Sequence, residues 1–186
     1  MSNRYLASDH HFAHDKIYGF KDNDGHLIRP WASSAEEGDE MMVDAWNKEV
    51  NKRDTVIHFG DIVVKRTGFK LLERLNGRII LIRGNHDIFP LKDYLPYVAD
   101  IRGTHKKDRV ILSHYPIHPE SIPNWAQGVI HGHTHQNHVL LADGTRDPRY
   151  LNLCVEAVGI TPIAWEDAIR RLPEIPSEDV TDDMTL

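Results

Sequence analysis

Five times along this chain a short apolar run ends on side chains that bind metal ions or move protons. RYLAS at 4–8 runs into Asp9, His10 and His11, and TVIHFG at 55–60 runs into Asp61. RIILIR at 78–83 leads to Gly84, Asn85, His86 and Asp87; VILS at 110–113 leads to His114; GVI at 128–130 leads to His131, Gly132, His133, Thr134 and His135. Short apolar runs bounded by turn residues read as buried strands. In α/β chains, ligands gather at the carboxyl ends of such strands. One cleft built at strand ends is the arrangement that would use all five segments.

The histidines point the same way. The chain carries 13 of them, and ten fall in four short groups: His10, His11 and His14; His86; His114 and His118; His131, His133, His135 and His138. Neither end carries a run of His that would read as a tag, and random scatter does not produce groups. Each motif is weak alone, since a D-x-H pair is more often a surface or capping pair and Gly-Asp is usually a turn. HGHTH is stronger, because its alternate His residues resemble a chelate. In extended chain Asp9 and His11, two positions apart, would point the same way. Carboxylate and imidazole donors without thiolate suit Mn, Fe, Zn or Ni ions and discriminate poorly among them.

Between these segments the pattern alternates helix and strand. Ser34 and Glu37 form an S-x-x-E box opening a helix to about residue 48, and a second helix over 68–75 stops at Asn76-Gly77. Residues 98–102 and 109–113 read as a hairpin, 137–141 and 150–155 as further strands, and 164–172 as a last helix. Residues 18–31 form a polar, irregular insertion. We expect one domain over 1–172, followed by an acidic, proline-punctuated tail over 173–186, loosely attached or disordered. The net charge of −6 argues against gripping duplex nucleic acid, which needs a basic surface. The single cysteine, Cys154, reads as an inert buried thiol. With no apolar leader in MSNRYLASDHH and no membrane-spanning run, a cytoplasmic protein with no membrane partner is expected.

The order D-x-H, G-D, G-N-H-D, a lone H and G-H-x-H, in the strings SDHHFAH, VIHFGD, IRGNHD, LSHYPI and IHGHTH, resembles the calcineurin-like metallophosphoesterase superfamily. The likeness is to its small single-domain bacterial and bacteriophage branch and covers roughly residues 4–170. It implies an α/β fold, a four-layer αββα sandwich of two mixed β-sheets flanked by helices. It also implies two divalent or mixed-valence ions. One would be held by Asp9, His11, Asp61 and His135, the other by Asp61 as a shared bridge, Asn85, His114 and His133. A shared carboxylate keeps such ions about 3.5 Å apart, and water between them ionises near neutral pH. The implied activity is hydrolysis of a small phosphodiester, nucleotide or phosphomonoester by that metal-bridging hydroxide.

His86 would then stabilise charge or protonate the leaving oxygen, with Asp87 orienting backbone or a ligand imidazole. Related protein Ser/Thr phosphatases carry, after G-D, an Asp that pairs with the catalytic His and then a phosphate-binding Arg. Here Val64 replaces that Asp, which argues against a phosphoprotein phosphatase. Lys65 or Arg66 would reach phosphate, His14 would contact substrate or a ligand, and Arg29 with Lys21 would reach substrate from the insertion. His10 and His58 read as structural. Two rival functions remain at this level: an inactive metal-binding scaffold of the same fold, and a different metallohydrolase, for example one that cleaves amides.

Overall fold

A computed structural model describes residues 2–174, so most of the expected acidic tail lies outside the described residues. Its strands are β1 (Arg4–Ala7), β2 (Thr55–His58), β3 (Arg78–Ile82), β4 (Asp100–Arg102), β5 (Thr104–Lys107), β6 (Val110–Ser113), β7 (Gly128–His131), β8 (Tyr150–Asn152) and β9 (Ile163–Ala164). Its helices are α1 (Ala35–Glu49), α2 (Phe69–Leu72), α3 (Leu91–Tyr94), α4 (Val155–Val158) and α5 (Trp165–Ile169). One sheet has the order β4-β3-β2-β1-β9, the other β5-β6-β7-β8. Both are mixed: β9 and β5 are antiparallel edge strands on otherwise parallel sheets.

The apolar runs are continuous because these strands are buried on both faces, as parallel sheets require. Tyr5, Ala7, Val56, Ile79 and Leu81 pack against Met42, Val43 and Trp46 of α1 and Phe69 and Leu72 of α2. The alternate residues Leu6, Ile57 and Ile82, with Phe59, meet Val110, Leu112 and Ile130 of the other sheet, closed by Trp165, Ala168 and Leu172. Two sheets sharing a core, with helices outside, make the expected α/β sandwich. Each such side chain contributes roughly 1.5–3 kcal/mol of burial, which fixes the strand ends that carry the polar motifs. Among the described residues no helix is long and apolar enough to cross a membrane.

Several elements differ from the sequence pattern. Residues 98–102 do not pair with 109–113; β4 lies parallel beside β3, and the hairpin is β5–β6. It turns at Asp108 and Arg109, both with positive φ (47° and 64°). Residues 137–141 form no strand. A tight turn, closed by Leu141 N–H donating to the Thr145 carbonyl at 2.8 Å, leaves Leu140 and Leu141 exposed. The 150–155 run stops at Asn152, whose amide donates to the carbonyls of His135 (2.7 Å) and Asn137 (2.8 Å), and α4 follows. The helices expected over 68–75 and 164–172 shorten to α2 and α5. At α1, Ser34 Oγ accepts from Glu37 N–H at 3.2 Å, while the Glu37 carboxylate reaches Ser33 N–H at 2.8 Å, one residue earlier than a standard box.

Candidate metal centre

The loops after β1, β2, β3, β6 and β7 meet at one end of the two sheets. The chain after β1 runs alongside the chain after β2: Asp9 N–H donates to Gly60 O (3.1 Å), His11 to Asp61 O (2.9 Å) and Phe12 to Ile62 O (2.9 Å). Asp9, His11, Asp61, His133 and His135 all have positive φ, at 54°, 52°, 54°, 71° and 48°. Asp and His tolerate this left-handed region better than most side chains do. The common direction of Asp9 and His11 therefore comes from two left-handed turns, because β1 has already ended at Ala7. It does not come from an extended strand. Glycine is required where backbone meets carboxylate: a Cβ at Gly84 would lie 2.2 Å from Asp61 Oδ1, and one at Gly132 would lie 2.2 Å from Asp9 Oδ2.

Two clusters result. Donor atoms of Asp9, His11 and His135 lie within 4.8 Å of one another, and so do those of Asp61, His114 and His133. Asn85 joins the second, its Oδ1 standing 2.8 Å from His114 Nε2 and 2.9 Å from His133 Nδ1. Asp61 Oδ2 is 3.6 Å from His11 Nε2 and 3.6 Å from His114 Nε2, and so faces both clusters.

The donor atoms fit cations. Both ring nitrogens of His11 are buried without a hydrogen-bond partner, an expensive arrangement unless something else satisfies them. His114 Nδ1 lies 2.6 Å from the Phe59 carbonyl, so that nitrogen carries the proton and Nε2 presents a lone pair toward the Asn85 amide oxygen. Two acceptors 2.8 Å apart match an edge of a coordination shell, about 3 Å for bonds of roughly 2.1 Å. The charges agree. Burial, then repulsion from Asp9, pushes the Asp61 carboxyl up to about 7. Burial also opposes ionisation of Asp9, yet the facing His11 holds it well below the usual carboxylate range. Burial lowers His11 to about 4 and lowers His133 as well, favouring the neutral, ligating imidazole.

Other side chains hold the loops. Asp87 accepts from Asp61 N–H and Gly84 N–H (2.8 Å each) and from Ile62 N–H (3.0 Å), tying the turns after β2 and β3 together. Beneath them His58 Nδ1 accepts from Gly60 N–H at 3.2 Å, and His58 Nε2 lies 3.0 Å from His10 Nδ1. Both rings contact Trp46, the structural setting expected of them. The backbone N–H of His86 donates to Asp61 Oδ1 at 2.7 Å, and its exposed ring lies 5.2 Å from that of His11. His14 is half-buried, 5.8 Å from His11, with Phe20 on its other side.

The remaining expected substrate contacts fare differently. Lys65 pairs with Asp15, and Arg66 pairs with Asp93 at 2.8 Å while lying over the Phe89 ring. Arg29 is fully buried, with its guanidinium bonded to Asp9 O, His10 O and Glu156. It therefore cannot meet a substrate at the surface; the insertion uses it to grip the base of the site. Sequence patterns missed three neighbours. Glu156 stands 3.0 Å from His135 Nδ1, Cys154 Sγ lies 3.2 Å from Asp9 Oδ2, and the half-exposed Tyr115 ring packs on His114 and His133. Cys154 is thus buried, as expected, but in contact with a candidate ligand. Position behind a strand was the available signal: Tyr115 follows β6 by two residues, and Cys154 follows β8 by two.

The chain is 32% identical over 171 residues to an uncharacterized protein, MJ1445, of Methanocaldococcus jannaschii, covering 89% of each chain. It is 27% identical to the Gene 66 protein of Mycobacterium phage D29, covering 91% of this chain and 92% of that one. Among solved structures it is similar to a protein of unknown function, AQ665, from Aquifex aeolicus. The TM-score is 0.65 at 22% identity, over 91% of this chain and 99% of that chain, a likeness of fold. The model of the calcineurin-like phosphoesterase superfamily domain matches residues 7–153. With that match spanning both clusters, the chain belongs to the calcineurin-like phosphoesterase superfamily, whose members typically bind divalent metal ions.

Proposed function

We propose that this protein hydrolyses a small phosphate ester, a phosphodiester, nucleotide or phosphomonoester, with two divalent cations. One is held by Asp9, His11, Asp61 and His135, the other by Asp61, Asn85, His114 and His133. The observation that carries this reading is the position of Asp61 Oδ2, 3.6 Å from an imidazole nitrogen of each cluster. Cations so held supply Lewis acidity toward a phosphoryl oxygen and acidify bound water.

The protein's own groups divide the remaining work. His86, exposed at the mouth of the site, donates a hydrogen bond or a proton to the leaving oxygen. Its backbone N–H to Asp61 Oδ1 bond keeps it beside the shared carboxylate. Among the described residues no carboxylate is hydrogen-bonded to its ring. That supports a small-molecule substrate over a phosphoprotein, as does Val64. Tyr115, 47% exposed and beside His114 and His133, offers a flat face for an organic leaving group. A covalent route is disfavoured: Cys154 is buried, and burial pushes its thiol well above the ordinary range.

The test is a screen of purified protein with Mn²⁺, Ni²⁺, Fe²⁺ or Zn²⁺ against aryl phosphodiesters, nucleotides and cyclic nucleotides. Metal-dependent turnover that phosphate inhibits is expected. Two bound ions with no turnover on any phosphate ester would favour a scaffold instead.

A further inference from the structure

Behind the Asp9–His11–His135 cluster lies a buried ion pair for which the proposed chemistry has no use. The side chains of Arg29 and Glu156 are both 0% exposed and meet at 2.7 Å. Charged side chains are almost never this deeply buried unless paired, and these two are aimed at particular atoms. Arg29 Nη2 donates to the Asp9 carbonyl at 2.7 Å, Nη1 to the His10 carbonyl at 2.8 Å and Nε to Glu156 Oε1. Its plane is flanked by Tyr18 and Trp31, each 5.7 Å away. Glu156 Oε1 also stands 3.0 Å from His135 Nδ1. That nitrogen makes no hydrogen bond, so the Glu156 carboxylate is the charge it faces, and Nε2 is the nitrogen left to serve the cluster.

The contacts are one-sided. The pair touches the backbone of Asp9, the carbonyl before His11 and the ring of His135, which are the three donors of one cluster. In the second cluster His114 is set by the Phe59 carbonyl and Asp61 by the backbone N–H of His86, and His133 meets the pair only through Asp9, whose carboxylate accepts its backbone N–H at 3.0 and 3.1 Å. A carboxylate on the far nitrogen of a ligating imidazole fixes its tautomer and raises its basicity. We propose that Arg29 and Glu156 are positioning residues for the Asp9–His11–His135 cation alone. Glu156 orients His135, and Arg29 locks Glu156 and the left-handed turn at Asp9, anchoring the 18–31 segment to that site. The inference rests on the two-cation reading above.

Calorimetric titration of metal-free, full-length protein with Mn²⁺ tests it. Wild type should bind two equivalents. Glu156→Gln should bind one with unchanged affinity and the other roughly 10–100-fold more weakly, the usual effect of removing such a partner. Glu156→Asp keeps the charge near Arg29 but draws back from His135, and should weaken the same single site. It decides the matter if Glu156→Gln does not melt cooperatively. His133→Asn should weaken the other site instead. Two sites of wild-type affinity in Glu156→Asp would overturn the proposal, and so would equal weakening of both, which marks a general structural role. Wild type binding fewer than two ions would instead sink the two-cation reading itself.

Discussion

Lowering the pH of the metal-free protein from 7 to 5 should remove about 5 kcal/mol of its stability. Burial, then the charge of Arg29, pushes the His10 imidazole down to about 3. Burial likewise takes His11 and His131 to about 4, and His58, buried against His10, lies well below its ordinary value. In the unfolded chain all four titrate near 6.5. Their contribution is therefore complete above about pH 6.5 and is lost as pH falls toward the folded values. At pH 5 the unfolded chain binds four protons that the fold refuses. Each costs about 2 kcal/mol between pH 7 and 5, about 8 kcal/mol in all. Asp61 acts in the opposite sense. Raised to about 7, it penalises the fold increasingly as pH rises from about 4 to 7, so acidification returns about 2 kcal/mol, and Asp39, pushed by burial up to about 6, returns about 1 kcal/mol in the same way. The net loss approaches the whole stability of an ordinary domain, about 5–15 kcal/mol. Urea melts in EDTA at the two pH values, followed by circular dichroism, give the difference directly. A drop below about 2 kcal/mol, or His10 and His58 rings found charged at pH 5 by ¹H–¹⁵N NMR, would refute the reasoning.

Asp61→Ala should leave neither ion bound by elemental analysis, because its carboxylate faces both clusters; two ions retained would defeat the shared role. His86→Ala should keep both ions while turnover falls by about two to four orders of magnitude, and steady-state kinetics with metal analysis separates the two effects. Gly132→Ala would put a methyl 2.2 Å from Asp9 Oδ2; it should lower stability by about 1–3 kcal/mol and weaken Mn²⁺ at the Asp9 site, and an unchanged melt and isotherm would contradict the packing. Tyr115→Ala should raise KM for aryl or nucleotide esters more than for a small alkyl ester, and equal changes would remove Tyr115 from substrate contact.

Much of this site can be read locally, because a strand end and the polar residues behind it are contiguous in sequence. Asp9, Asp61, Asn85, His114 and His133 each follow their own apolar run, and the sheets need only stack for them to converge. Partnerships between distant segments are not written in any local pattern. Arg29 and Glu156 are 127 residues apart, and in sequence each looks like a solvated charge. The same limit explains 98–113: two strands are visible there, but the polar stretch between them is a third, β5, and which sheet each strand joins depends on whether β3 or β6 offers the better edge. Asp9 and His11 teach a different lesson. Strand periodicity predicts the side on which they point, yet hydrogen bonds to Gly60 and Asp61 draw the backbone into turns instead.

Five candidate ligands sit on left-handed backbone, and this narrows the donor alphabet. The side chains that ligate are also the ones that let the chain turn, and Asp, Asn and His are the non-glycine residues most at ease there. Cysteine, glutamate and β-branched residues are not among them, so drift at these positions is channelled between oxygen and imidazole donors and away from thiolate. The hardness of the site, and hence the range of ions it can choose between, is in this sense set by main-chain torsion before any ion is met. An asparagine scan leaves the turn intact but keeps a neutral oxygen donor of the kind Asn85 offers, whereas an alanine scan removes the donor and strains the turn, so the two scans together separate ligation from backbone shape.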